Sequence, residues 1–348
     1  MIGQDITKPR IVAFEVTRKC RFNCIHCRAA ASEAATSEYL TTAQCKRILL
    51  SLAEYDKCVV ILTGGEPMER EDIYELIEFG NKIGHRIAIA TCGYTINDET
   101  AKKLKEIGIL TLSFSLDGSD AQSHDSFRRV VGAFDITLSA IEKCSKHGTR
   151  FQINTTITRR NVEHVPKIAQ LAQGLGAYCF NPFILVPTGR GSAISDETLE
   201  PQRYERLLYD LAELKKQSPI DVRVTCGPQF SRIMAQTNSS VVSSAKRKRK
   251  GCMASGEFAF ISYRGDVQTC GFLNIPAGNL VNNGYDFKEI WENSEMLKKI
   301  RDLSVYKGKC GNCEYVENCG GCRARAYAMT GDYLASDPIC NYQPVLCK

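Results

Sequence analysis

Residues 17–28 read TRKCRFNCIHCR, and Cys20, Cys24 and Cys27 stand in this stretch with the spacing C-x3-C-x2-C, directly after an apolar run at 11–16. Three thiolates this close together can ligate three irons of a cubane from one loop, which leaves the fourth iron without a protein ligand. A structural zinc ion asks for four closed ligands, so the triad alone also admits a zinc knuckle completed by His26 or by a distant residue. An iron with a vacant position has a chemical use that a closed zinc site lacks: it can chelate a small molecule.

Outward from this loop, short apolar runs alternate with amphipathic stretches, the pattern of parallel strands joined by crossover helices. Strands are expected near 11–16, 58–62, 86–91, 110–116, 151–157 and 178–184, and helices near 41–55, 70–83, 98–107, 133–147, 162–174 and 201–216. Six such units make an incomplete version of the eight-fold α/β barrel, whose ligands gather at the C-terminal ends of the strands, and the cysteine loop lies at such an end. After residue 217 the rhythm changes to a short strand near 220–224, a polar basic stretch ending in Lys246–Lys250 (KRKRK), and EFAFISYRGDVQTC, a hairpin turning at Arg264-Gly265-Asp266. The expected division is a barrel over 8–225, a linker with the basic loop over 226–251, and a cysteine-rich domain over 252–348.

A chain of 348 residues, 43% of them hydrophobic, can bury a large core. The stretch MIGQDITKPRIVAFEV has no charged segment leading into a long apolar run, and no run of about eighteen apolar residues occurs, so neither export nor a membrane span is expected. The expected compartment is the cytoplasm. Seventeen cysteines in a reducing compartment are metal ligands or small buried residues, not a disulfide scaffold. The net charge of +6 is modest, and KRKRK lacks the interleaved aromatics of a nucleic-acid surface; a solvated loop is expected there, with no nucleic-acid partner.

Two further constellations carry chemistry. The second strand ends in LTGGEP, where Gly64 and Gly65 allow a ligand close to the backbone, carbonyls can accept from an ammonium group, and Pro67 after Glu66 fixes the start of a helix. Ser113, Ser115 and Asp117 end the fourth strand and Asn154 lies on the fifth, facing the barrel mouth. The C-terminal part holds Cys252, Cys270, Cys310, Cys313, Cys319, Cys322 and Cys340, more thiolates than one cluster or one zinc ion uses. A zinc ribbon of Cys310, Cys313, Cys319 and Cys322 would leave Cys252, Cys270 and Cys340 without a purpose. Cys45, Cys58, Cys92, Cys144 and Cys179 sit in apolar periodic stretches and are expected to be buried small residues, while Cys347 is uninformative.

The cysteine triad followed one strand later by LTGGEP resembles the signature of the radical SAM enzymes, and the C-terminal cysteines resemble their SPASM extension, with a last gap of two residues where three is usual. The resemblance implies S-adenosylmethionine on the vacant iron, contacted by Gly64, Gly65, Glu66, Pro67, Ser115 and Asn154. It also implies two auxiliary [4Fe-4S] clusters, three clusters in all: a nearer one on Cys252, Cys270 and Cys322, and a farther one on Cys310, Cys313, Cys319 and Cys340. The nearer set lacks a fourth ligand, for which Cys226, a non-cysteine group, substrate and water all stand open.

Across nearly the whole length, VAFEVTRKC, HCRAAAS, SLDGSDAQSHDSFR, FQINTTITRRN and FILVPTGRG together resemble the SAM-dependent haem synthases of the sirohaem-derived pathway. TCG at 91–93 departs from relatives that place Asn before the Gly, which weakens any assignment of Cys92 to S-adenosylmethionine. The resemblance implies oxidative decarboxylation of two propionates of iron-coproporphyrin III to vinyl groups, giving haem b with 5'-deoxyadenosine, methionine and carbon dioxide. It further implies a low-potential electron donor of the ferredoxin or flavodoxin type and an electron acceptor. Arg159, Arg160 and Arg190 follow strands five and six and suit bidentate carboxylate binding. None of the five histidines is a clear axial ligand, so no permanently bound haem is expected. The rivals are the deacetylase of 12,18-didecarboxysirohaem, a SPASM peptide maturase, and, outside the enzymes, an iron-sulfur electron carrier or a zinc-binding protein.

Overall fold

A computed structural model of the chain describes residues 6–34, 39–237 and 251–345. Seven parallel strands form its spine: β1 Ile11–Thr17, β2 Val59–Gly64, β3 Arg86–Thr91, β4 Thr111–Ser115, β5 Phe151–Ile157, β6 Cys179–Ile184 and β7 Asp221–Val222. They pair in chain order and are linked by α1 Thr42–Tyr55, α2 Ile73–Lys82, α3 Asp98–Glu106, α4 Ala121–Arg128, α5 Ala133–Lys146, α6 Val165–Gly174 and α7 Pro201–Gln217. The architecture is the partial (βα)6 barrel expected from the alternation, with the short seventh strand inside the window expected for it.

The two-residue period of each strand sorts its side chains. Val12, Phe14, Val16, Leu112, Phe114, Ile153 and Ile157 pack under the helices and are at most 1% exposed. The alternate positions face the concave side. Ser115, Gln152, Asn154 and Thr156 stay half-buried there although strands flank them, as the lining of a recess does. Helix α1 starts on a capping box in which Thr41 and Gln44 satisfy each other's backbone N–H groups. Helix α4 was not expected, because SDAQSHDSFR is too polar to show a helical period; Asp120 starts it by accepting from the Ser123 N–H.

Beyond β7 the chain forms α8 Phe230–Thr237, then the hairpin β8 Phe258–Ile261 and β9 Asp266–Gln268, with β10 Gly278–Asn279 antiparallel to β9. The hairpin does not stand apart in a second unit. Strand β8 lies parallel to β1, from Ile11↔Phe258 to Phe14↔Ile261, and the sheet runs β10-β9-β8-β1-β2-β3-β4-β5-β6-β7. Beyond the hairpin the chain carries four short helices, α9 Phe287–Asn293, α10 Glu295–Arg301, α11 Gly308–Gly311 and α12 Arg323–Thr330. Trp291, fully buried against Phe287, donates its indole N–H to the Thr7 carbonyl at 3.1 Å and ties this tail to the start of the chain. No helix among the described residues is long and apolar enough to cross a membrane. The basic run 246–250 and Cys347 lie outside the described residues.

Candidate active site

The first cysteine loop leaves the C-terminal end of β1 and is pinned at both ends. The Cys20 N–H donates to the Ser32 carbonyl (3.1 Å) and the Ser32 N–H to that of Arg18 (3.2 Å). Glu15, fully buried on the inner face of β1, holds Arg28 at 3.3 Å and Arg18 at 3.6 Å, and also accepts from the Tyr263 N–H in the hairpin. Cys20 and Cys24 are buried and Cys27 half-buried. Arg190 reaches in from the segment after β6: its Nε donates to the Cys24 carbonyl (2.9 Å), its Nη1 to that of Ala31 (2.6 Å), and its own N–H to that of Cys27 (3.0 Å). Arg190 therefore positions the cysteine loop through Nε, Nη1 and its backbone, while its Nη2 makes no hydrogen bond.

The unexpected helix α4 supplies a second charged group. Arg128 pairs with fully buried Asp117 at 2.6 Å and donates from Nη1 to the Cys24 sulfur at 3.6 Å. Burial pushes the Cys24 thiol up to about 11, and Arg128 pulls the other way. Burial likewise pushes the Asp117 carboxyl up, but Arg128, His26, His124 and the Thr156 N–H together outweigh it and hold the group below the usual carboxylate range. His26, which a zinc knuckle would recruit, packs at a tilt against the Phe127 ring and stands 3.7 Å from Asp117. Burial lowers its pKa to about 4, so the ring is neutral at pH 7.

LTGGEP lies against this loop through its backbone. The Gly65 N–H donates to the Thr17 carbonyl and the Glu66 N–H to that of Lys19, both at 2.8 Å. A Cβ at Gly65 would stand 2.2 Å from the Lys19 oxygen, so only glycine admits this approach. Gly65→Ala is expected to destabilise the protein by roughly 1–3 kcal/mol in denaturant unfolding. Gly174→Ala, where nothing lies within 4 Å, should stay within about 0.5 kcal/mol of the parent. The Glu66 carboxylate is committed elsewhere, accepting from the Thr91 hydroxyl (2.8 Å), the Cys92 N–H (2.9 Å), the Cys92 thiol (3.0 Å) and the Met68 N–H (3.2 Å). Only its backbone is left for a ligand. Cys92 also packs in one buried cluster with Cys20 and Cys24, a neighbourhood that apolar periodicity did not reveal.

Ser115 and Asn154 are register partners on β4 and β5. Asn154 Oδ1 accepts from Gln152 (3.0 Å) and Asn181 (3.3 Å), and Asn181 accepts from the Thr225 hydroxyl (2.8 Å), giving a polar row across the mouth. Phe272, just after Cys270, meets Phe183 of β6 with ring centroids 6.5 Å apart. Arg159 and Arg160 are exposed and paired with Glu200 (3.0 Å) and Glu197 (2.7 Å).

The C-terminal cysteines separate into two groups. Cys310, Cys313, Cys319 and Cys340 line one recess together with Arg232, Tyr315 and Tyr342. Cys226, Cys270 and Cys322 pack into another cluster with Leu273 and Ala324. Cys252 and Cys270 are both within electrostatic reach of Cys322. The short gap Cys319-Gly-Gly-Cys322 divides the groups: Gly320 and Gly321 both take φ = +67°, a left-handed turn that sends adjacent cysteines to different sides. Buried Arg325 and Asp337 pair at 2.9 Å between the groups and the barrel. No three His, Cys, Asp or Glu side chains among the described residues converge as ligands of one ion do. A recess ringed by four thiols, and a buried three-thiol loop beneath a guanidinium, are donor sets that fit iron-sulfur clusters.

A glycine-bearing strand end beside a three-cysteine loop on a partial barrel defines the radical SAM class of enzyme. The pattern of the Radical SAM superfamily matches residues 14–172 and that of the SPASM iron-sulfur cluster-binding domain residues 252–323. The chain belongs to the radical SAM superfamily, in its SPASM-bearing branch, and is an enzyme of that class with iron-sulfur clusters and S-adenosylmethionine as its cofactors. It is 43% identical to the "AdoMet-dependent heme synthase" of Methanosarcina barkeri, over 97% of this chain and 97% of that one. It is 30% identical to the "Fe-coproporphyrin III synthase" of the same organism, over 96% and 88%. Among solved structures, Streptococcus suis SuiB bound to precursor peptide SuiA superposes with a TM-score of 0.78 at 19% identity, over 97% of this chain and 77% of that chain, a likeness of fold.

Proposed function

We propose that this enzyme is a haem synthase that converts two propionates of iron-coproporphyrin III to vinyl groups, giving haem b. The observation that carries the reading is the 43% identity with a protein of that name over nearly all of both chains, which cannot come from the cysteine segments alone. In this reading Cys20, Cys24 and Cys27 hold the radical-generating cluster, Cys252, Cys270 and Cys322 the nearer auxiliary cluster, and Cys310, Cys313, Cys319 and Cys340 the farther one. The bound groups supply a 5'-deoxyadenosyl radical, made from S-adenosylmethionine with an electron from a ferredoxin or flavodoxin type donor, and a route to an electron acceptor. Per propionate, one hydrogen atom leaves the carbon beta to the carboxylate, carbon dioxide departs and one electron is passed on, so each haem uses two molecules of S-adenosylmethionine.

The chain's own residues bind and orient. Backbone groups of Gly64, Gly65, Glu66 and Pro67 take the methionine ammonium, while Ser115 and Asn154 take ribose or carboxylate. Phe183 and Phe272 give the macrocycle an apolar face. Arg159 and Arg160 remain suited to propionates, since exposed ion pairs are worth at most about 1 kcal/mol and a substrate carboxylate can replace Glu200 and Glu197. The cytoplasm, with its reduced thiols and low-potential carriers, is the compartment this chemistry requires.

The test is incubation of the reduced enzyme with S-adenosylmethionine and iron-coproporphyrin III, followed by mass analysis. Loss of two formic acid equivalents with matching 5'-deoxyadenosine is expected. Cleavage of S-adenosylmethionine with the porphyrin unchanged would overturn the reading in favour of a peptide maturase, and acetate loss from didecarboxysirohaem would move it to the sister enzyme.

A further inference from the structure

Cys226 is drawn into the nearer cysteine group by features that sequence spacing does not contain. Pairing between β6 and β7 runs on past the strand: the Thr225 N–H donates to the Pro182 carbonyl (2.8 Å) and the Ile184 N–H to that of Thr225 (3.0 Å). The next residue, Cys226, therefore leaves the C-terminal end of the seventh strand, at the barrel mouth. Its φ of +58° is a left-handed conformation that a side chain other than glycine or asparagine rarely adopts. Its side chain packs against the buried cluster that contains Cys322, and Cys270 packs against the same cluster. One buried ion pair fixes both backbones: Arg325 Nη2 donates to the Cys226 carbonyl (2.6 Å), and Asp337 Oδ2 accepts from the Cys322 N–H (2.9 Å). Cys226, Cys270 and Cys322, from three separate segments, thus pack together, and Cys252 lies within electrostatic reach of Cys270 and Cys322.

We infer that Cys226 is the fourth ligand of the nearer auxiliary cluster, which is held by Cys226, Cys252, Cys270 and Cys322 and has no iron free for a substrate. The inference rests on the reading above that a nearer cluster is present. A cluster closed by four thiolates exchanges electrons without binding the substrate, and its ligand on β7 fastens it to the rim of the barrel. The porphyrin is then held by side chains alone.

Cys226→Gly is the decisive variant, because glycine suits φ = +58° and removes the thiol without backbone strain. In full-length enzyme reconstituted without oxygen and saturated with S-adenosylmethionine, 13C-cyanide is added as the probe and 13C coupling to the reduced clusters is read by electron-nuclear double resonance. The parent is expected to show no coupled species under these conditions. Cys226→Gly is expected either to gain one or to lose about four irons, as Cys270→Ala does. A cyanide-coupled species in the saturated parent, or spectra and iron content unchanged in Cys226→Gly while Cys252→Ala and Cys270→Ala each lose about four irons, would overturn the assignment of Cys226 alone. If Cys252→Ala and Cys270→Ala lose no iron, the nearer cluster itself is refuted and the inference falls with it.

Discussion

Cys24→Ala is expected to lose about four irons per chain and to reduce 5'-deoxyadenosine formation to the background of the assay. The loop presents its thiols from one short segment, and no second cysteine is placed to substitute for Cys24: its carbonyl is held by Arg190 and its sulfur faces Arg128. Apart from the Arg128 contact the change removes no hydrogen bond from the loop, so the secondary structure of the variant should match that of the parent. Cys45→Ala provides the contrast. Its sulfur is fully buried in the apolar core, 3.8 Å from the Leu40 carbonyl, and iron content should not change although stability falls. Full iron in Cys24→Ala, or iron loss in Cys45→Ala, would contradict the division between ligand and packing cysteines.

Arg325→Ala is expected to have the largest effect on stability. The guanidinium is fully buried and donates to Asp337 (2.9 Å), to the Leu185 carbonyl (3.1 Å) and to that of Cys226 (2.6 Å). Asp337 in turn accepts from Gln229 (2.8 Å), whose amide oxygen accepts from the Tyr204 hydroxyl (2.8 Å) of α7. Removing the cation leaves a carboxylate and two carbonyls buried without their partner, a loss of roughly 3–5 kcal/mol. For a chain of this size that corresponds to a Tm lower by roughly 4–7 °C. Scanning calorimetry of the apo-protein measures this without interference from the clusters. Replacing both partners with apolar residues, Arg325→Met with Asp337→Leu, should recover part of the loss, since no lone buried charge remains. A Tm within a degree of the parent for Arg325→Ala would show that the junction between barrel and cysteine domain is held by something else.

The strand order was legible because a buried parallel strand is a short apolar run and a crossover helix has a 3.6-residue period, both local signals. The Cys20, Cys24 and Cys27 triad was legible because its spacing is local too, whereas the division of the C-terminal cysteines into two sets came from the resemblance to SPASM proteins. Three things were not. Helix α4 has a polar sequence, and with it Arg128 escaped notice, although it stands 3.6 Å from the Cys24 sulfur. The buried charges Glu15, Asp117, Arg325 and Asp337 look like surface residues until their partners are known, and Glu15 finds Arg28 and Tyr263 only through folding. The third is the junction of β8 with β1, because parallel pairing between distant segments leaves no turn in the sequence to announce it.

That junction bears on how the protein is made. Arg10, beside the start of β1, meets Glu257 across an interval of 247 residues. At about 5–20 residues per second, synthesis of that interval takes roughly 10–50 s. Throughout it the outer edge of β1 has peptide groups with no neighbouring strand, the kind of edge on which strands of different molecules pair. Crowded ribosomes on one message hold many such nascent edges at once, and the hairpin that protects each of them emerges only after all the strands from β2 to β7.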